Sequence, residues 1–216
     1  MSKPFVIAVD GPAASGKGTI AHRLGEAYDL PVLDSGLLYR AVGVLAAREG
    51  IDFDAVAQVT AVARALTVEM LGDPAFRTRE AGEAASRVAI HTPVRLALRE
   101  MQQGFARRPG GAVIDGRDIG TVIAPEAPAK LYVTAMPEVR AERRWKQLKG
   151  QGEAVSFEDI LDDIRKRDAR DGGRADSPMR PADDAALLDT TEMTIEHATD
   201  AARRIVEAAR ARWERS

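Results

Sequence analysis

The sequence predicts an α/β fold: a three-layer, doubly wound, five-stranded parallel sheet. Three observations lead to it. Short apolar or β-branched runs recur along the chain (FVIAVD, PVLD, GAVIDG, AKLYVTA and ALLDTT), each of strand length and most ending in Asp, Gly or Thr. Longer segments with apolar residues every three or four positions lie between them, the period of an amphipathic helix. The first run also passes straight into a glycine-rich turn and then a helical pattern, the order in which a parallel crossover begins.

Taken in order, Phe5 to Asp10 is the first strand, and a helix follows from Gly18 to Tyr28. The PVLD strand leads into a helix from Gly36 to Arg48. The alternation then breaks between Glu49 and Met101, where a helical AVAQVTAVARAL, a short LTVEML and a turn-rich GDPAFRT are too long together for a simple loop. We read an insertion there, about residues 50–105, that carries specificity. Regular alternation resumes with a helix from Val94 to Arg107, the GAVIDG and AKLYVTA strands, and a helix from Pro137 to Leu148. A second interruption, Lys149 to Asp184, is dense in Arg and Asp and closes in Gly, Ser and Pro. It reads as a short mobile lid, about residues 150–184, around a helix from Ser156 to Arg170. ALLDTT and a final helix from Thr194 to Glu214 complete one domain over residues 1–216. In such a sheet ligands bind beyond the carboxyl ends of the strands, where Asp10, Asp34, Asp115 and Thr134 gather.

Composition narrows the function classes. With 216 residues and 45% hydrophobic content, the chain can bury one full core and a small insertion. Lys and Arg total 31 against 33 Asp and Glu, so no overall positive field points to nucleic acid. No apolar run approaches the roughly 20 residues of a membrane-spanning helix, and no signal-peptide pattern precedes the first strand. A cytoplasmic protein without membrane partners is therefore expected. Cysteine is absent, which excludes disulfides, thiol nucleophiles and cysteine-ligated metals. His22, His91 and His197 are too scattered to suggest a metal site.

The most informative stretch is Gly11 to Thr19, GPAASGKGT. Gly11, Gly16 and Gly18 let the backbone wrap so that successive amide N–H groups and a helix N-terminus face one anion, and Lys17 adds a point charge. GxxxxGK is the Walker A pattern, and its required context of strand before and helix after is present. Gly18 fills the usual Ser or Thr slot, and Thr19 follows one residue later as the hydroxyl that could reach a magnesium ion.

Arginines supply the second theme. Arg165, Arg167, Arg170, Arg174 and Arg180 crowd the lid segment, which reads either as a solvated helix of alternating charge or as a phosphate-binding surface. Arg140, Arg143 and Arg144 share one helical face, spaced so that their guanidinium groups could converge on one ligand or simply face solvent. DSGLLYR places Ser35, Tyr39 and Arg40 on the first turns of a helix that Ser35 could equally cap. IDGRD sets Arg117 and Asp118 in a turn, either as a salt-bridged glycine turn or as part of the site.

GPAASGKGT, VLDSGLLYR, DGRDIGTVIAPEAPAKLYVTA and RKRDARDGGRADSPM, in that order, resemble the bacterial cytidylate kinases over nearly the whole chain. The Walker loop alone is unspecific; DGRD followed by GTV, and RDxRDxxR followed by a proline-containing loop, carry most of the resemblance. The resemblance implies a P-loop nucleoside monophosphate kinase fold. It implies transfer of the ATP γ-phosphoryl group to CMP or dCMP with Mg²⁺ as the accompanying ion, and it suggests a monomer. By matching position, Gly11, Pro12, Ala13, Ala14, Ser15, Gly16, Lys17, Gly18 and Thr19 would hold ATP together with Arg144 and Arg170. Ser35, Tyr39, Arg40, Arg117 and Arg174 would grip the monophosphate and sugar, with Lys17, Arg117 and Arg174 as the catalytic charges. Arg167 and Asp171 match the ribose contacts, and Ser86, Arg95 and Asp118 the cytosine-reading positions. The segment from Thr67 to Arg79 is shorter than the small antiparallel sheet usual in the family's monophosphate-binding insertion.

The chemistry agrees with that assignment. Cytosine presents an amino donor beside ring acceptors, which suits a carboxylate and a guanidinium, whereas uracil reverses the donor pattern. Phosphoryl transfer needs positioning and charge neutralisation rather than a protein nucleophile. A GTPase would need an NKxD-type loop, and the chain has no asparagine. A small-metabolite kinase of shikimate type and a non-catalytic ATP-binding module remain the other readings.

Overall fold

The computed structural model describes residues 4–215. Its elements run β1 (Phe5–Asp10), α1 (Lys17–Tyr28), β2 (Val32–Asp34), α2 (Ser35–Arg48), α3 (Val56–Ala65), α4 (Arg79–Val88), α5 (Thr92–Ala106), β3 (Gly111–Gly116), β4 (Ala129–Thr134), α6 (Pro137–Gly150), α7 (Phe157–Gly172), β5 (Ala186–Asp189) and α8 (Ile195–Trp213). Two 3₁₀ turns (Val68–Gly72 and Pro74–Arg77) precede α4, and a π-helical turn (Ile119–Ile123) follows β3. The chain forms two compact units, one from Met1–Val32 and Ala106–Ser216, the other from Leu33–Phe105.

The sheet order is β2-β3-β1-β4-β5. β1 pairs in parallel with β3 (Phe5 opposite Gly111, Asp10 opposite Gly116) and with β4 (Ile7 opposite Ala129, Asp10 opposite Tyr132). β5 extends the sheet beyond β4. The chain leaves β1 toward one edge and β4 toward the other, so the crevice past their carboxyl ends is the switch point at which such sheets take ligands. β1 and β3 are buried along their full length, which is why they read as continuous apolar runs without alternation. Ile7, Val9, Leu131 and Val133 pack with Ile20 and Leu24 of α1 and Ala202 and Val206 of α8. Each such Ile, Leu or Val side chain contributes roughly 1.5–3 kcal/mol by leaving water. Phe5 closes the far end against Trp213, ring centroids 5.2 Å apart.

The helices begin where the sequence provides caps. Ser156 accepts from the Asp159 amide at α7, with Glu158 and Asp159 in its first turn, and Thr194 accepts from the His197 amide at α8. Pro137 opens α6 at a position where its missing N–H costs nothing. Ala141 and Leu148 of α6 pack on Ile160 and Ile164 of α7, with Trp145 and Phe157 at the margin, so the first half of the arginine-rich segment is pinned to α6 by apolar contact.

The second unit has its own core of Leu38, Val42, Val59, Val62, Phe76, Val88, Val94 and Leu98. Gly43 sits where α2 crosses α4: a Cβ there would lie 2.6 Å from Ala84 Cβ and 3.0 Å from its carbonyl carbon. One element here departs from the sequence reading. α4, over Arg79–Val88, is absent from that reading: its buried face, Ala81, Gly82, Ala84, Ala85, Ser86 and Val88, has an apolar stripe (Ala81, Ala84, Ala85, Val88) with one large side chain, a weak signal beside the turn-rich segment before it. Thr67 to Arg79 holds the two 3₁₀ turns, and no strand occurs there among the described residues.

Candidate active site

At the end of β1 the chain bends sharply. Gly11 has φ 144°, and a Cβ on it would fall 2.0 Å from the carbonyl oxygen of Val133 on β4, so only glycine lets the two strand ends approach. Ala14 (φ 59°) and Gly16 (φ 90°) complete the wrap in the left-handed region. Gly16 is also the N-cap of α1 and brings no side-chain cap, which leaves the first-turn N–H groups of that helix to an anion. Ser15 is fully buried in the loop, and its Oγ has no hydrogen-bond partner among the described residues.

Lys17 opens α1 and turns its Nζ to within 3.6 Å of Asp115 Oδ1 at the end of β3. At Gly18, in the slot usually held by Ser or Thr, a Cβ would lie 3.2 Å from Asp115 Oδ2, a contact that needs the carboxylate to shift by a few tenths of an ångström. Thr19 is exposed on α1.

Past β3, Arg117 donates through Nη1 to Gly116 O (3.0 Å) and through Nε to Asp171 Oδ2 (3.1 Å). Asp171, only 2% exposed, also holds Arg174 through Nη2 to Oδ1 and lies 4.0 Å from the Arg167 Nε. Burial alone would raise the Asp171 carboxyl, but the guanidinium groups of Arg117, Arg174 and Arg167 outweigh it and hold the group below the usual carboxylate range. One carboxylate thus gathers three of the arginines expected to face the acceptor. Asp118, also buried, begins the π-helical turn, whose Ile119 and Gly120 amides donate to Asp10 Oδ1 and Oδ2 at 2.8 and 2.7 Å. Burial pushes the Asp10 carboxyl up to about 7 against those two amides.

The three arginines of α6 do not converge on a single point. Arg140 is buried and bidentate to Asp168 (3.2 and 2.6 Å), Arg143 donates to Thr190, and Arg144 donates to Gln147 Oε1 (2.9 Å). Arg140 and Arg143 also reach carbonyls of the Gly11 to Thr19 loop, a role that helical spacing alone does not reveal. Arg170 is half-buried on α7.

Within the second unit, Asp34 caps α2 by accepting from the Leu37 amide, and Ser35 is buried in the first turn of that helix. Arg40 donates to Thr78 O at 3.1 Å. The Arg95 guanidinium lies over the Tyr39 ring, 5.8 Å from its centroid, which brings two of the expected acceptor residues together. Ser86 on α4 and Arg95 on α5 are both buried, and Ser86 Oγ has no hydrogen-bond partner among the described residues. Among the histidines, His22 and His197 are exposed, and the His91 ring contacts Phe53 O at 2.7 Å. No cluster of three or more His, Asp or Glu able to hold a metal occurs among the described residues. No helix among them is long and apolar enough to cross a membrane.

A parallel sheet whose central strand ends in a glycine-bent loop, an uncapped helix start and a lysine defines a P-loop nucleotide-binding α/β protein. Solved structures share that fold. An uncharacterized protein from Eubacterium ventriosum superposes with a TM-score of 0.56 at 16% identity, over 94% of this chain and 98% of that one. A sugar kinase from a Janibacter species superposes with a TM-score of 0.51 at 16% identity, over 94% and 95%. The chain belongs to the cytidylate kinase family, whose model matches residues 7–209. It is 70% identical over 208 residues to the cytidylate kinase of Caulobacter vibrioides, spanning 96% of this chain and 98% of that protein. It is 60% identical over 207 residues to that of Xanthobacter autotrophicus, spanning 96% and 99%.

Proposed function

We propose that the chain transfers the γ-phosphoryl group of ATP to the 5′-phosphate of CMP or dCMP, giving ADP and CDP or dCDP. The observation that supports the reading best is the end of β3. There Asp115 faces Lys17 of the phosphate loop, and two residues later Arg117 joins Arg167 and Arg174 around Asp171. A cradle for a polyphosphate and a cluster of cations for a second phosphate therefore meet on one short turn.

In the reaction an oxygen of the CMP phosphate forms the new bond to Pγ as the bond from Pγ to the ADP oxygen breaks, so no protein nucleophile is required. The loop amides and Lys17 hold the β- and γ-phosphate oxygens, with Arg144 and Arg170 on the donor side. Arg117 and Arg174 neutralise charge on the acceptor phosphate and the transferring group. Ser35, Tyr39 and Arg40 complete the acceptor grip, Arg167 and Asp171 face the ribose, and Ser86, Arg95 and Asp118 read the base.

The residues fit a magnesium ion carried mainly on the nucleotide phosphates. The hard-oxygen donors beside the loop are the Asp115 carboxylate and the exposed Thr19 hydroxyl. When bound, the ion supplies neutralisation of the phosphate charge. The proposal takes ATP and CMP or dCMP as partners and a cytoplasmic monomer as the working form. ADP release measured with CMP, dCMP, UMP and AMP as acceptors tests it: turnover led by CMP and dCMP supports it, and release independent of acceptor overturns it.

A further inference from the structure

The phosphate loop is held from behind by side chains from two other segments, α6 and the residue that follows β5. Arg140 Nη1 donates to Ala13 O at 3.3 Å. Thr190 Oγ1 lies 3.0 Å from Ser15 O and 3.1 Å from Thr134 O, with its one proton serving these carbonyls. Arg143 Nη1 reaches Thr190 Oγ1 at 3.0 Å and Ser15 O at 3.5 Å, while its Nη2 donates to Thr190 O at 2.6 Å. Arg140 is itself fixed by Asp168 of α7 and by Ala135 O at 2.8 Å, with 3% of its surface exposed.

Peptide planarity turns these contacts into a constraint on the anion site. The carbonyl of one residue and the N–H of the next point in opposite directions across a trans peptide. Holding Ala13 O and Ser15 O toward α6 and Thr190 therefore turns the Ala14 and Gly16 N–H groups the other way. Ala14, a non-glycine residue at φ 59°, keeps that conformation because its surroundings over-determine it. We infer that Arg140, Arg143 and Thr190 are positioning residues for the donor nucleotide: they set the aim of the loop amides without touching the phosphates. Asp168 lies on α7, the helix that also carries Arg167 and Asp171, so the brace is anchored on that helix.

The inference rests on the loop being an ATP site, and binding can be measured without an acceptor. Thr190→Val keeps the branched shape and removes the hydroxyl; Thr190→Ser restores it. Calorimetry with ATP should show about tenfold weaker binding for Thr190→Val and near wild-type binding for Thr190→Ser. In steady state the KM for ATP should rise with that loss, while the KM for CMP stays within about twofold. Arg140→Lys, whose single ammonium cannot serve Ala13 O, Ala135 O and Asp168 together, should show the same split. ATP affinity within twofold of wild type in Thr190→Val overturns the inference. So does an equal rise in both KM values with a lowered melting temperature that Thr190→Ser leaves uncorrected. Failure of the CMP reading is distinguishable, because it would appear as tight ATP binding without turnover on CMP.

Discussion

Lys17 at the start of α1 and Asp115 near the end of β3 face each other, Nζ 3.6 Å from Oδ1, with both side chains close to fully buried. The lysine thus has a counter-charge, and the same carboxylate makes a tight contact for any Cβ at position 18. In the proposed reaction the lysine charge counts most as negative charge develops on the transferring oxygens. Lys17→Met should therefore lower kcat by on the order of 10²-fold or more, with ATP affinity falling less. Rapid-quench or coupled kinetics on that variant check it, and unchanged turnover would remove Lys17 from the chemistry.

Asp171 sets a pH dependence of stability. Its folded-state ionisation lies below the unfolded value of about 3.9, so the carboxylate stabilises the fold above that pH. That contribution is lost as pH falls below about 4. Asp171→Asn strands the guanidinium groups of Arg117, Arg167 and Arg174 and should cost about 3 kcal/mol near neutral pH. Denaturant titrations of wild type and variant should show the gap at pH 7 narrowing in acid. A gap independent of pH would mean that packing, not charge, holds Asp171 in place.

Legibility in the sequence followed side-chain size and range. The strand runs coincide with the observed strands to within one or two residues, most clearly in β1 and β3, which are buried throughout and need continuous β-branched or apolar residues. The phosphate loop was legible because its glycines answer local demands, as Gly11 against Val133 O shows. α4 was not, since its stripe of Ala81, Ala84, Ala85 and Val88 holds a single large apolar side chain and stands out weakly from the turn-rich segment before it. The loop brace was not legible either: Thr190 meets Ser15 across 175 residues, and Asp10 meets Ile119 across 109. Helical spacing placed Arg140 and Arg143 on one face but does not say that they point at carbonyls.

The arginine-rich segment should close in two parts. Ile160 and Ile164 anchor the start of α7 to α6, so the ordering on ligand binding should fall on the later stretch, residues 173–185. Hydrogen exchange with a bisubstrate analogue should slow there and change little over residues 157–164. Equal exchange with and without the analogue would remove the lid.

The most direct measurement of the central claim is the ratio of kcat/KM for CMP to that for UMP, in wild type and in Asp118→Ala. A buried carboxylate that accepts from the cytosine amino group meets the uracil carbonyl with an unpaired, repulsive contact. Wild type should favour CMP by at least roughly a hundredfold, and Asp118→Ala should lose CMP turnover and shrink the ratio. Arg170→Ala, altered on the donor side, should weaken both acceptors alike. A wild-type preference for UMP or AMP would contradict the account, and a full ratio kept in Asp118→Ala would place cytosine recognition elsewhere.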